Sequence, residues 1–251
     1  MQYADASFAP TLLPPEILER GIEGDETALR SPEVLSALRS RLSDDDWDNL
    51  LLSCGEDGIF VTVLGPGCGQ YEGKSLRELT GLLGEDIPET IARLLGLSKG
   101  QGTIVYHALA EQDLQNFLLD DACSLGTDAF ARNYEGPTAA GKPHPRNYGA
   151  FPRFLRRYVL EQRLFTMEEG VAKITSAAAG QFHLAGRGTL AVGGAADVTV
   201  FDPETIGEVG TFDAPWAQPA GIAEVFVNGR RAVAGGVWQG LTAGKVLSRK
   251  G

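Results

Sequence analysis

The residue types most suited to chemistry lie close together in one stretch, Leu125–Tyr158. Asp128 ends a short run that predicts a strand, turn-forming residues follow it, and His144-Pro145-Arg146 then leads into a basic, aromatic helix. Loops between rigid elements are where proteins most often present binding and catalytic side chains. A carboxylate, an imidazole and a guanidinium in such a loop therefore predict a binding or catalytic surface.

The histidines and cysteines are not spaced as metal ligands. The three histidines form neither an HxH pair nor an i, i+4 pair. The three cysteines stand far apart without CxxC spacing, so they predict neither a disulfide framework nor a thiolate zinc site, and they fit a reducing cytosol. These residues are His107, His144, His183, Cys54, Cys68 and Cys123.

Composition and charge exclude several classes of protein. The 251 residues are 43% hydrophobic, which predicts a soluble globular chain with a substantial core. Lys and Arg total 22 against 33 for Asp and Glu, a net charge of -11, so no basic face is expected for nucleic acid. No apolar run reaches membrane-spanning length and the first thirty residues show no apolar signal core, so we expect a cytoplasmic protein without a membrane partner.

Strand-like and helix-like segments alternate before the central stretch. The strand-like segments are rich in apolar residues and end in turn-formers, and Ser75 with Glu78 predicts a capping box at the start of one intervening helix. This alternation predicts a parallel α/β sheet or barrel. The strands are predicted at Ile59–Gly65, Thr103–Leu109 and Cys123–Asp128, and the helices from Ser31 to Leu42, from Ser75, from Pro88 to Leu97 and from Glu111 to Leu119.

The ends of the chain differ in character from this middle part. Residues 1–24, with prolines at 10, 14 and 15, predict a loop with one helical turn. After the central stretch a helix is predicted from Phe151 with a solvated arginine face, and Thr166 is predicted to cap the next helix. Beyond about residue 184 small and apolar residues alternate, and Asn228-Gly229 predicts a type I′ hairpin in a β segment. The expected domains are therefore 1–183 and 184–251.

A set of short motifs follows in a fixed order from about residue 60 to the end of the chain. With these motifs the chain resembles the N-acyl-D-amino-acid deacylases, the D-aminoacylase branch of the metal-dependent amidohydrolases. Many ordered motifs are more specific than any single one. They are Tyr71–Leu76, Gly126-Thr127-Asp128, His144-Pro145-Arg146, Tyr148–Arg153, Lys173–Ser176, Arg187-Gly188, Ala196-Asp197-Val198, Phe201-Asp202-Pro203 and Val227-Asn228-Gly229.

The resemblance implies a fold. Members of the family have a distorted (β/α)8 barrel with a β-sandwich built from both ends of the chain. The expected fold class is therefore α/β, a partial barrel corresponding to the C-terminal half, followed by a β-sandwich segment. Strands near Ile59, Ile104 and Ser124 would be the last barrel strands, and Asp128 would lie at a C-terminal strand end, where such barrels carry their chemistry.

The resemblance also implies roles for four residues. Asp128 would be the general base and acid, and Arg146 would bind the substrate α-carboxylate through two parallel hydrogen bonds. Tyr71 would donate its hydroxyl to the substrate, and His144 would orient the loop. The alternatives are a helix cap or turn for Asp128, a surface ion pair for Arg146, an exposed loop tyrosine for Tyr71 and a structural side chain for His144.

Zinc is the cofactor that the resemblance implies, yet the expected ligands are missing. The family binds zinc through an HxH pair, a Cys or modified Lys and further histidines, and this sequence contains no such set. The first hypothesis is a hydrolase of N-acyl amino acids, small-molecule substrates, whose metal ligands come from elsewhere. The alternative is a catalytically incomplete fragment or a non-catalytic partner subunit. An incomplete barrel further predicts association with a missing N-terminal half or with itself.

Overall fold

The computed structural model describes residues 4–247, which form two compact units. The first unit contains the chain up to Leu114 together with Glu135–His144, and the second contains Gln115–Tyr134 and the chain from Pro145 onward. The predicted boundary near residue 183 falls within the second unit. No helix in the described residues is long and apolar enough to span a membrane.

The first unit is built on a three-stranded antiparallel sheet in the order β1-β3-β2. The expected parallel arrangement of the strands near Ile59 and Ile104 is therefore wrong. Two helices separate β2 from β3, so the chain crosses the unit twice between them and returns in the opposite direction, whereas a parallel pair needs a single crossover. The strands are β1 (Ala4–Ser7), β2 (Ile59–Val63) and β3 (Thr103–Tyr106).

Eight helices in the described residues begin in the first unit, and several begin at caps that the sequence predicts. Ser31 accepts from the Val34 N–H, and Ser75 forms the predicted capping box with Glu78. The helices are α1 (Phe8–Leu12), α2 (Pro15–Leu18), α3 (Glu26–Leu29), α4 (Pro32–Arg41), α5 (Leu50–Cys54), α6 (Leu76–Leu83), α7 (Ile87–Ser98) and α8 (Glu111–Leu119), the last of which continues into the second unit.

The N-terminal segment belongs to the core of the first unit, and the prediction of a loop there is wrong. Phe8 and Leu12 in α1, and Ile17 in α2, are fully buried among the side chains of α4, α6 and α7. The prolines do not prevent this because Pro15 occupies the first turn of its helix, where a missing N–H costs nothing.

The free side of β2 is covered by other segments of the first unit. The Val61 N–H donates to the Lys74 carbonyl at 3.0 Å, and the Gly73 N–H donates to the Val61 carbonyl at 2.7 Å. The register shifts between Val61 and Val63, and the Lys142 N–H donates to the carbonyl of the intervening Thr62 at 2.9 Å. The backbone groups that the bulge removes from the ladder thus find a partner in a distant segment.

The second unit combines a helical layer with a four-stranded antiparallel sheet in the order β4-β5-β6-β7. The predicted Asn228-Gly229 turn joins β5 to β6, and Thr166 forms a capping box with Glu169, as its cap prediction required. The helices are α9 (Arg146–Arg153), a π-helix that continues it (Phe154–Glu161), α10 (Met167–Lys173) and α11 (Ser176–Gln181), and the strands are β4 (Val198–Phe201), β5 (Ile222–Val227), β6 (Arg230–Ala234) and β7 (Val237–Trp238).

The predicted strand Cys123–Asp128 has no regular secondary structure. No strand of the described residues pairs with it, and a strand without a neighbour leaves its backbone groups unsatisfied. Gln181 at the end of α11 contacts this segment instead, since its side chain bonds Ser124 Oγ at 2.6 Å and the Ala122 carbonyl at 2.5 Å.

Candidate functional site

Asp128 and Arg146 form an ion pair at the start of α9. Arg146 Nη2 donates to Asp128 Oδ2 at 2.7 Å. The arginine side chain is only 15% exposed, whereas the aspartate side chain is 85% exposed. The Asp128 backbone is left-handed, with φ of 47°, a conformation that costs energy for a residue with a Cβ. The two predicted site residues of the second unit are thus brought together.

The next two residues of α9 hold the same loop, Asp128–Tyr134, which we call the 128–134 loop. Asn147 Oδ1 accepts the Phe130 N–H at 2.8 Å, and the Tyr148 hydroxyl donates to the Asn133 carbonyl at 3.0 Å. The Tyr148 ring also stacks on Tyr134. Three consecutive side chains of one helix turn therefore fix three points of the loop.

Sequence reasoning did not identify Asn147 or Tyr148 as loop anchors. Burial raises the pKa of the Tyr148 phenol, so it remains a neutral hydroxyl that can donate to a carbonyl. Burial likewise raises the pKa of the Tyr134 phenol, with the neighbouring Tyr148 as a smaller cause. The signal available in the sequence was the run of three hydrogen-bonding side chains directly after a proline that begins a helix.

The arginines of α9 and its π-helical continuation bind the segment before β5, so the prediction of a solvated face is wrong for two of them. Arg153 Nη1 lies 2.9 Å from Glu208 Oε2, and Arg156 Nε donates to the Ile206 carbonyl at 2.7 Å. Burial raises the pKa of the Glu208 carboxyl, and the Arg153 charge opposes that rise. Gly149 is required here because a Cβ at this position would lie 2.9 Å from Glu208 Cγ. These contacts fix the direction in which α9 presents its first turn.

Tyr71 belongs to the first unit. Its N–H donates to the Cys68 carbonyl at 3.0 Å, and its half-buried ring packs against the core of that unit. Lys142 Nζ lies over the same loop, since a Cβ on Gly73 would come within 2.8 Å of it.

His144 also belongs to the first unit and is completely buried. The structure therefore describes Tyr71 and His144 in one unit and Asp128 and Arg146 in the other.

The histidines do not fit a zinc site. His107 stacks on Phe60 with 5.2 Å between ring centroids, and burial lowers the pKa of its imidazole. His144 is buried and His183 is exposed. Across residues 4–247 there is no group of three or more His, Cys, Asp or Glu side chains arranged to hold a metal ion.

Comparison with known proteins identifies relatives for much of this chain. The sequence profile of the amidohydrolase family matches residues 120–233. An N-acyl-D-glutamate deacylase of Alcaligenes xylosoxydans xylosoxydans is 39% identical over 164 residues, which are 65% of this chain and 30% of that protein. A D-aminoacylase of the same organism is 38% identical over 58% of this chain and 28% of its own length. The chain thus spans under a third of the length of these two relatives.

Solved structures give the same result. A D-aminoacylase with a binuclear metal centre superposes with a TM-score of 0.66 and 31% identity, covering 76% of this chain and 38% of that one. An N-acyl-D-glutamate deacylase from Bordetella bronchiseptica, complexed with zinc and a phosphonate inhibitor that mimics the tetrahedral intermediate, superposes with a TM-score of 0.61 and 35% identity over 70% of this chain and 34% of that one. The chain is an α/β protein in which residues 120–233 match the amidohydrolase family, and over much of its length it is similar to N-acyl-D-amino-acid deacylases, of whose own length it spans about a third.

Proposed function

We propose that this chain supplies the base and the carboxylate-binding group of a hydrolase that cleaves the amide bond of N-acyl amino acids. The observation that carries the proposal is the Asp128–Arg146 pair, 2.7 Å apart, within the segment that matches the amidohydrolase family. The activities of the relatives, which act on N-acyl-D-glutamate and N-acyl-D-aspartate, support the substrate class.

The two side chains suit these tasks. Hydrolysis of an amide adds water across the C–N bond, so one proton must leave the water and one must reach the departing amine. The Asp128 carboxylate is exposed and accepts one hydrogen bond at one oxygen, which leaves the other oxygen for that proton. The Arg146 guanidinium is planar and can bind a carboxylate through two parallel hydrogen bonds.

Tyr71 and His144 are the other two residues with predicted roles. Tyr71 lies in a loop of the first unit with its N–H bonded to the Cys68 carbonyl, and the donation of its hydroxyl to a substrate stays a prediction of the resemblance. His144 is fully buried, so we propose that it positions the backbone that leads into α9 and does not touch the substrate.

Metal ligands must come from outside the described residues. Zinc, when bound by a relative, supplies an activated water, but residues 4–247 contain no ligand group for it. We therefore propose that amide hydrolysis requires a polypeptide that contributes those ligands. The alternative function is a non-catalytic partner that retains the loop for binding or assembly, and the same missing ligand group favours it.

The similarity to the D-aminoacylase structures also supports a proposal about the fold. We propose that the second unit corresponds to the end of a (β/α)8 barrel, with residues after about 183 forming part of its β-sandwich. The three strands of the first unit are antiparallel, unlike the parallel strands of such a barrel.

The proposal is tested with the purified chain, alone and co-expressed with the remaining portion of a D-aminoacylase. Bound zinc is measured by elemental analysis, and hydrolysis is followed with N-acetyl-D-glutamate and its L enantiomer. We expect turnover only after co-expression, and Asp128→Asn should reduce it by about a hundredfold or more. Turnover and one bound zinc in the chain alone would contradict the need for a second polypeptide. Association without turnover would favour the non-catalytic alternative.

A further inference from the structure

The proposed function gives Asp128 and Arg146 separate tasks, yet in the structure the two side chains bind each other. Asp128 Oδ2 accepts a hydrogen bond from Arg146 Nη2, so part of the guanidinium that would receive a substrate carboxylate already holds one from the chain itself. Binding of substrate and activity of the base are therefore linked through this contact.

The unequal exposure of the two side chains decides which of them can leave. The Arg146 side chain is only 15% exposed, so it is held among its neighbours and moving it into water would remove those contacts. Asp128 is 85% exposed, so its departure into water costs little. A ligand carboxylate that takes the place of Asp128 keeps a carboxylate hydrogen-bonded to Arg146 Nη2.

The loop does not have to move for this exchange. The Phe130 N–H is held by Asn147 Oδ1 at 2.8 Å, and the Asn133 carbonyl is held by the Tyr148 hydroxyl at 3.0 Å. Neither contact involves the Asp128 side chain. Rotation about the side-chain bonds of Asp128 is therefore sufficient, while the backbone on its C-terminal side stays fixed to α9.

We propose that the carboxylate of a ligand replaces Asp128 at Arg146, and that this exchange releases the Asp128 carboxylate at the moment a ligand is bound. The inference rests on the proposed function for the roles of the two residues, and it makes the pair a self-occupied binding site. A ligand without a carboxylate would leave Asp128 bound to Arg146.

The exchange is tested by binding to the intact chain, without any need for turnover. The probe is N-acetyl-D-alanine, and N-acetyl-D-alanine amide is the matched compound that lacks the carboxylate. In NMR titrations we expect the acid to shift the side-chain resonances of Asp128 and Arg146, and the amide to shift neither. Asp128→Ala should bind the acid about three- to fivefold more tightly than the wild-type chain, because an exposed ion pair contributes up to about 1 kcal/mol of competition.

Two further variants separate the exchange from a general effect of charge. Asp121→Ala removes one negative charge from an exposed residue of the same unit that forms no ion pair within residues 4–247, and it should leave the affinity within about twofold of the wild type. Arg146→Lys keeps the positive charge but removes the planar guanidinium that can make two parallel hydrogen bonds. It should therefore weaken binding of the acid in both the wild-type and the Asp128→Ala background. Equal affinity in wild type and Asp128→Ala, or binding that leaves the Asp128 resonances unchanged, would overturn the exchange. Failure of the proposed function would show itself differently, as turnover in the co-expressed complex that survives Asp128→Asn.

Discussion

The rings of Tyr134 and Tyr148 are stacked, with 5.1 Å between their centroids and 29° between their planes. One ring belongs to the end of the 128–134 loop and the other to the first turn of α9. The Tyr148 hydroxyl donates to the Asn133 carbonyl. The pair therefore allows the hydrogen bond to be removed while the stack is kept.

Tyr148→Phe should loosen the loop. The substitution keeps the stacked ring and removes one hydrogen bond, which contributes about 0.5–1.5 kcal/mol. We expect faster amide hydrogen exchange across residues 128–134, measured by mass spectrometry, and a small loss of global stability. Tyr134→Phe is the matched control because it removes the hydroxyl from the other ring. Equal exchange in the two variants would show that the Tyr148 hydroxyl does not hold the loop.

Gly170→Ala should destabilise the second unit, and Gly180→Ala should not. A Cβ at residue 170, in α10, would lie 2.4 Å from Val159 Cγ2, whereas a Cβ at residue 180, in α11, meets nothing within 4 Å. Overpacking of this kind costs about 1–3 kcal/mol, while alanine in an open helix position gains up to about 1 kcal/mol over glycine. Urea unfolding of both variants measures the difference. Similar midpoints would mean that Val159 yields to the new methyl group.

Asn228→Ala should cost more stability than Asn228→Gly. Asn228 has a left-handed backbone with φ of 49°, and its side chain accepts from Arg187 Nη2 at 2.7 Å and donates to the Ala243 carbonyl at 2.7 Å. Both substitutions lose these two hydrogen bonds, but alanine keeps a Cβ in the left-handed region, whereas glycine relieves that strain of about 1–2 kcal/mol. The difference between the two variants in urea unfolding isolates that strain. Identical losses would contradict a left-handed turn at this position.

The stability contributed by Glu85 should depend on pH. The hydrogen bond from Arg93 lowers the pKa of the Glu85 carboxyl, and Arg30 lowers it further. Because the folded pKa lies below the unfolded one, the contribution is fully present above the unfolded value of about 4.3 and is lost as the pH falls through the folded value. Glu85→Gln should therefore cost about 1–2 kcal/mol at pH 7 and progressively less in acid. Thermal unfolding of both proteins between pH 7 and pH 3 measures this.

Glu208→Gln gives the control of opposite sign. Burial raises the pKa of the Glu208 carboxyl, so the folded state holds this proton more tightly than the unfolded state does. The wild-type protein should accordingly lose stability relative to Glu208→Gln as the pH rises through the range in which Glu208 ionises. A change of the pH dependence in the same direction for both substitutions would contradict the inference that the two carboxyls have pKa values shifted in opposite directions.

Local features of the fold were predictable from the sequence. The capping box at Ser75, the helix cap at Thr166 and the Asn228-Gly229 hairpin all appear where the sequence predicts them. In each case the interacting groups lie within a few residues of one another, so the pattern contains the whole interaction.

Features that depend on distant partners were not predictable in the same way. The β-like segment before Asp128 forms no strand because no neighbouring strand is present in the described residues, and the direction of β3 depends on two intervening helices. The same distinction applies to the candidate site. Motifs in the sequence identified Asp128 and Arg146, but they did not predict the ion pair between them. The sequence likewise contained no sign that Arg156 would bind the carbonyl of Ile206, fifty residues away.

The bulge in β2 has a consequence for how copies of this protein meet one another. Exposed strand edges are templates on which further chains add, and this is the first step of ordered aggregation. Along β2 this edge is already paired, because residues 73–75 lie beside the strand and the Lys142 N–H donates to the Thr62 carbonyl. The half-buried Lys142 also places a charge beside this edge. The strand is therefore closed to a second molecule by segments of its own chain.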